Sequence, residues 1–115
     1  MDFDRFTIAL LTPGPDGPQL TKEEADTFQD RHLSHIADLA DAGKLVAAGP
    51  LQDPGYAGLS ILTVPPEEAL ALKAADPAIQ AGIYSLQTMA WLVPGGAVKF
   101  APARFPRSIA EAMGR

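Results

Sequence analysis

The sequence predicts one α+β domain whose elements follow the ferredoxin-like order β-α-β-β-α-β. Three observations carry that expectation. Four short apolar runs end at turns rich in proline or glycine, and segments with helical start signals follow the first and third of these runs. The length, 115 residues, suits a single core and is too short for two. With right-handed crossovers, this order maps most simply onto a four-stranded antiparallel sheet with both helices on one face.

Phe6 to Leu11 is the first apolar run. The prolines and glycines from Thr12 to Pro18 forbid its continuation, so a strand leads into a loop. Thr21 followed by Glu24 is an S/T-x-x-E capping box, which supplies acceptors for the free amides at a helix start. That helix is predicted to reach about Ala42, where Gly43 and Lys44 are C-terminal signals. Lys44–Ala48 and Ala57–Val64 read as two strands joined by the turn-rich segment from Gly49 to Gly55. Pro65 and Pro66 open a second helix from Glu67 to about Ala75, with two glutamates at its positive end. Asp76 and Pro77 end it. Ala78 to Gly82 has room for one more helical turn, and Ser85 to Val93 is the last strand before Pro94, Gly95 and Gly96.

The domain is thus expected over residues 1–94, with 95–115 as a C-terminal extension. Val98–Phe100 reads as a short strand. Ser108–Met113 carries an S-x-x-E cap and reads as one or two helical turns, which must pack on the domain or on a dimer partner to persist in water.

Composition narrows the function. Hydrophobic residues make up 47% and charged residues 20%, which is the balance of a soluble globular chain and not of a disordered one. The chain has no cysteine; this removes disulfides, thiolate metal sites and cysteine nucleophiles and suits a reducing cytoplasm, where the protein is expected. A formal charge of −5, with Arg104, Arg107 and Arg115 as the only basic cluster, argues against nucleic acid as a partner. No apolar run approaches the ~20 residues that span a bilayer, and the N-terminus lacks a leader pattern, so no membrane partner is expected. The strands are apolar on both sides: Ile8 adjoins Ala9, Ile61 adjoins Leu62, and Met89 and Trp91 flank Ala90. An antiparallel sheet with one solvated face alternates apolar with polar instead. The second face wants a cover, and a homodimer is the expectation.

One histidine stands out. At roughly 100° per residue, Ala25, Phe28, Leu33, Ile36, Ala37, Leu39 and Ala40 fall on one arc of the first helix, and His32 falls inside it. His35 lies at the arc's border and is predicted to be solvated. His32 is either a core histidine bonded to a backbone carbonyl or a functional group that titrates near neutral pH. With His35 it makes only two metal ligands, fewer than zinc normally takes, so neither metal nor cofactor is expected. Asp76 likewise has two readings: a turn former before proline, or a carboxylate that reaches His32 from the end of the second helix and holds its tautomer. Ser60 and Ser85 lack the G-x-S-x-G context of a nucleophile, and Gly49-Pro50 is no phosphate loop. Tyr84 and Trp91 are packing aromatics that can also line a pocket.

Taken in order, Arg31-His32-Leu33, Leu39, Gly43-Lys44-Leu45, Ala48-Gly49-Pro50-Leu51, Gly58, Glu67-Glu68-Ala69, Ala75-Asp76-Pro77, Ala81-Gly82-Ile83-Tyr84 and Trp91 resemble the pattern of the YCII-related (YciI-like) proteins. The resemblance covers about residues 5–93. It implies a ferredoxin-like fold, a homodimer joined through its sheets as a dimeric α+β barrel, and a pocket with a His-Asp dyad that falls on His32 and Asp76. Similar proteins include an enzyme that removes chloride from a chlorinated hydroxyquinol. The expected function is therefore a small cytoplasmic enzyme. In it His32, oriented by Asp76, performs general acid/base chemistry of lyase, isomerase or hydrolase type on a small cyclic or aromatic organic molecule, without a cofactor. The alternative is a non-catalytic module for small-ligand binding or dimerisation.

Overall fold

The structure is a computed structural model that describes residues 1–114; Arg115, counted above in the basic cluster and the extension, lies outside the described residues. The elements are β1 (Phe3–Pro13), α1 (Lys22–Asp41), β2 (Leu45–Pro50), β3 (Gly58–Leu62), α2 (Pro66–Ala74), α3 (Pro77–Gln80), β4 (Tyr84–Pro94) and α4 (Ile109–Ala112). The sheet order is β2-β3-β1-β4 and every pairing is antiparallel. This is the ferredoxin-like fold that the sequence predicts.

Local signals start the helices as expected. Thr21 Oγ1 accepts from the Glu24 amide at 3.1 Å, and the Glu24 carboxylate accepts from the Thr21 amide at 3.0 Å, so the capping box is complete. α2 opens on Pro66, whose missing N–H costs nothing in a first turn. The extra turn after Pro77 is a separate helix, α3, capped by the Asp76 side chain. One expectation fails at the start of α1: Glu23, Glu24 and Ala25 are all exposed, so the first turn projects beyond the sheet and Ala25 buries nothing.

Strand limits depend on partners distant in sequence. β1 is longer than the Phe6–Leu11 run because β4 pairs with it from Phe3 opposite Pro94 to Pro13 opposite Tyr84, which satisfies backbone groups well beyond the apolar stretch. β3 is shorter than predicted, and β2 carries a register shift between Leu45 and Ala47. The loop after β1 docks on the α3–β4 turn, where the Gly14 amide donates to the Ile83 carbonyl at 2.8 Å. A Cβ on Gly14 would lie 1.9 Å from the Gly82 carbonyl oxygen, so only glycine permits this approach.

Between sheet and helices lies a core of Ala9, Ile36, Leu39, Leu45, Leu62 and Ala69. Each larger member contributes about 1.5–3 kcal/mol by its burial. On β1 the buried Thr7, Ala9 and Leu11 point to the helices, whereas Phe6, Ile8 and Leu10 alternate onto the open face, half-buried.

The extension departs from its predicted form. Val98–Phe100 is not a strand. The Gly95 amide donates to the Asp2 carbonyl, the Gly96 amide to the Asp4 carboxylate and the Ala97 amide to the Pro94 carbonyl, so the chain turns across the end of β1 and leaves the sheet edge. Phe100 packs edge-on against Phe6, with ring centroids 5.2 Å apart, and Phe6 lies 6.0 Å from Trp91. The chain then reaches the helical side, where Phe105 packs on the core. Arg107 pairs with Asp38 and Asp41, and the Ile109 amide donates to Asp30 at 2.8 Å. The short α4 therefore docks on α1 of its own chain.

Candidate functional site

His32 sits on the inward stripe of α1, four residues before Ile36, and is 7% exposed. Asp76 closes α2 and caps α3, and it is fully buried. The fold brings the two together: His32 Nδ1 donates to Asp76 Oδ2. The other carboxylate oxygen, Oδ1, accepts from the Ala78 amide at 2.9 Å. One oxygen thus forms the turn and the other engages the imidazole.

The electrostatics keep this carboxylate charged. Burial pushes the Asp76 carboxyl up, but His32, the Ala78 amide and Lys73 outweigh it and hold the group below the ordinary carboxylate range. An ionised Asp76 accepts the Nδ1 proton, and Nε2 has no hydrogen-bond partner among the described residues.

Tyr84, at the start of β4, stacks near the imidazole with centroids 5.3 Å apart and an interplanar angle of 54°. Its hydroxyl donates to Gln29 Oε1 at 3.3 Å. Burial and the negative Asp76 push the phenol up, so it stays neutral.

Lys73 was not anticipated. It is fully buried on α2, and its Nζ donates to Ser60 Oγ of β3 at 3.5 Å. Burial pushes the ammonium down and Asp76 opposes that shift. A signal was present: Lys73 follows Ala69 by four residues, so the two share a helical face, and both are fully buried. Lysine is so seldom buried that composition alone sends it to the surface.

Beside these groups lies a cavity of about 500 Å³. Leu33 and Ile36 of α1 line it, as do Leu11 and the Ala48-Gly49-Pro50 and Gly58–Ser60 segments of the sheet and Phe105, Ile109 and Met113 of the extension. His32, Ser60, Gln29 and Tyr84 add the polar groups. Gly49 and Pro50, which form no phosphate loop, are wall residues, as is Gly58.

His35 corrects a second expectation. It is half-buried, and its Nε2 bonds the Leu72 carbonyl of α2 at 3.0 Å. Among the described residues, no group of three His, Cys, Asp or Glu side chains is placed to hold a metal ion. No described helix is long and apolar enough to cross a membrane.

A ferredoxin-like domain whose two helices bring a buried His-Asp pair to an apolar cavity is the class that the fold and site define. The model of the YCII-related domain family matches residues 7–90, and the chain belongs to that family. No curated protein matches it.

Proposed function

We propose that the protein is a small enzyme in which His32 is the general acid/base and Asp76 its orienting partner. The observation that carries this reading is the His32–Asp76 hydrogen bond at the wall of an apolar cavity. Asp76 holds the Nδ1 proton and stabilises the imidazolium that forms when Nε2 takes a proton from substrate; Nε2 then returns the proton to the product or leaving group. The balance of walls and polar groups suits a small cyclic or aromatic molecule and a lyase, isomerase or hydrolase step that needs no cofactor. The chain acts as a homodimer, joined through the open sheet face.

Turnover in a screen of small cyclic and aromatic compounds tests the reading. His32→Ala is expected to lose about 10²- to 10⁴-fold in rate while retaining the fold. Compounds that raise the melting temperature yet are never converted would favour the second reading, a binding module, which the apolar walls of the cavity support.

A further inference from the structure

Among the described residues Lys73 is a buried cation that supports the Asp76 carboxylate through its charge but makes no hydrogen bond to it. Lysine is almost never fully buried without a partner, and an apolar side chain of similar length would fill the same space at less cost. Its ammonium has three N–H donors, yet among the described residues its one hydrogen bond is the long contact to Ser60 Oγ at 3.5 Å. Asp76, one turn further on, has both carboxylate oxygens engaged by His32 and the Ala78 amide. The charge of Lys73 is thus shared with Asp76, whereas its hydrogen bond is directed at Ser60.

Ser60 lines the cavity beside His32. Its oxygen accepts from Lys73, and its own proton has no acceptor among the described residues. A hydroxyl held in this way presents its O–H to the cavity, and a cation behind it strengthens what it donates. The ligand atom that fits is an acceptor, best an anionic oxygen, because a buried cation and a free donor both favour negative charge in an apolar enclosure.

We propose that Ser60, backed by Lys73, is an oxyanion-binding subsite of the His32 cavity, and that the ligand is an apolar, ring-sized molecule bearing a carboxylate or phenolate oxygen. The inference rests on the acid/base reading for taking this cavity as the reaction site. Ser60 touches the ligand; Lys73 acts through Ser60 as a positioning residue.

The probe is 2-naphthoate, with 2-naphthamide and 2-naphthylmethylamine as neutral and cationic counterparts, titrated calorimetrically into the full chain at pH 7. Naphthoate is expected to bind most tightly. Ser60→Ala and Lys73→Met should each weaken it by about 10-fold or more, the worth of one charge-assisted hydrogen bond, and leave naphthamide nearly unchanged. Lys73→Arg should restore part of the loss, which a purely structural lysine would not produce. Equal affinity for naphthoate and naphthamide, or naphthoate binding indifferent to both variants, overturns the subsite. The acid/base reading fails separately, through His32→Ala retaining turnover, so the two failures are distinguishable.

Discussion

At the residue scale, the site is a contest between burial and pairing. The sharpest expectation concerns Asp76, because its ionised form is what fixes the imidazole. Replacing it by asparagine removes the charge and keeps the shape, so an imidazolium at position 32 loses its partner. In Asp76→Asn the Nδ1–H tautomer of His32 loses its anionic acceptor, so the two ring nitrogen signals followed by NMR should move towards a mixed-tautomer pattern. Unchanged ring signals would return His32 to the role of a core residue. The stability profile should show the other two groups. Asp76 titrates lower folded than unfolded, so its contribution is present above the unfolded value of ~3.9 and is lost as pH falls through the folded one. Lys73 also titrates lower folded than unfolded. The unfolded chain then binds the extra proton, and stability rises with pH from the folded value of Lys73 towards ~10.4. Lys73→Met should abolish that alkaline rise and melt higher at pH 7, by about 1 kcal/mol or more; urea melts at several pH values measure both. His32 and Asp76 were legible in the sequence, one from helical period and the other from its place before proline. Lys73 was not, because its spacing from Ala69 gives a shared face but, in a nine-residue helix rich in alanine and leucine, does not say that this face turns inward.

At the scale of elements, local signals were legible and pairings were not. The Thr21 box and the Pro66 start are decided within a few residues and stand where the sequence puts them. β1 needed β4 to set its length, and Val98–Phe100 lost its strand because hydrogen bonds at Gly95–Ala97 steer the chain off the sheet. The extension is the element with the most to say about binding, since Phe105, Ile109 and Met113 form one wall of the cavity. Its anchor is electrostatic: Arg107 reaches Asp38 at 2.8 Å and Asp41 beside it, and the pairs raise the guanidinium's already high pKa. These groups are exposed, so the anchor adds little to global stability. Its effect belongs to the wall. Arg107→Ala should leave the urea midpoint almost unchanged and weaken an apolar cavity probe such as naphthamide several-fold. The weakening should resemble that of high salt, which screens the same pairs. Equal probe affinity with and without the arginine would mean that Phe105 and the Ile109–Asp30 hydrogen bond hold the extension in place without it.

At the scale of the whole molecule, one face of the sheet remains. Helices α1 and α2 cover the side of Thr7, Ala9 and Leu11, while the open side carries Phe6, Ile8, Leu10, Ile61, Met89 and Trp91, an apolar surface across three strands. Phe100 shields the corner at Phe6 but leaves Met89 40% exposed. One aromatic ring is too small a cover for a patch of that breadth, and contiguous apolar patches mark interfaces. The same patch on a second copy is self-complementary, and a two-fold pairing closes it without leaving an edge for further growth. Sedimentation should therefore give twice the chain mass of 12.1 kDa at micromolar concentration. Ile8→Glu, which puts a charge at the centre of the face opposite Met89, should give a folded monomer. If the parent chain already sediments as a monomer, the Phe100 segment must be the whole cover, and Phe100→Ala should then cost far more stability than an exposed aromatic can. A dimeric parent and a small effect of Phe100→Ala instead assign the face to the second copy.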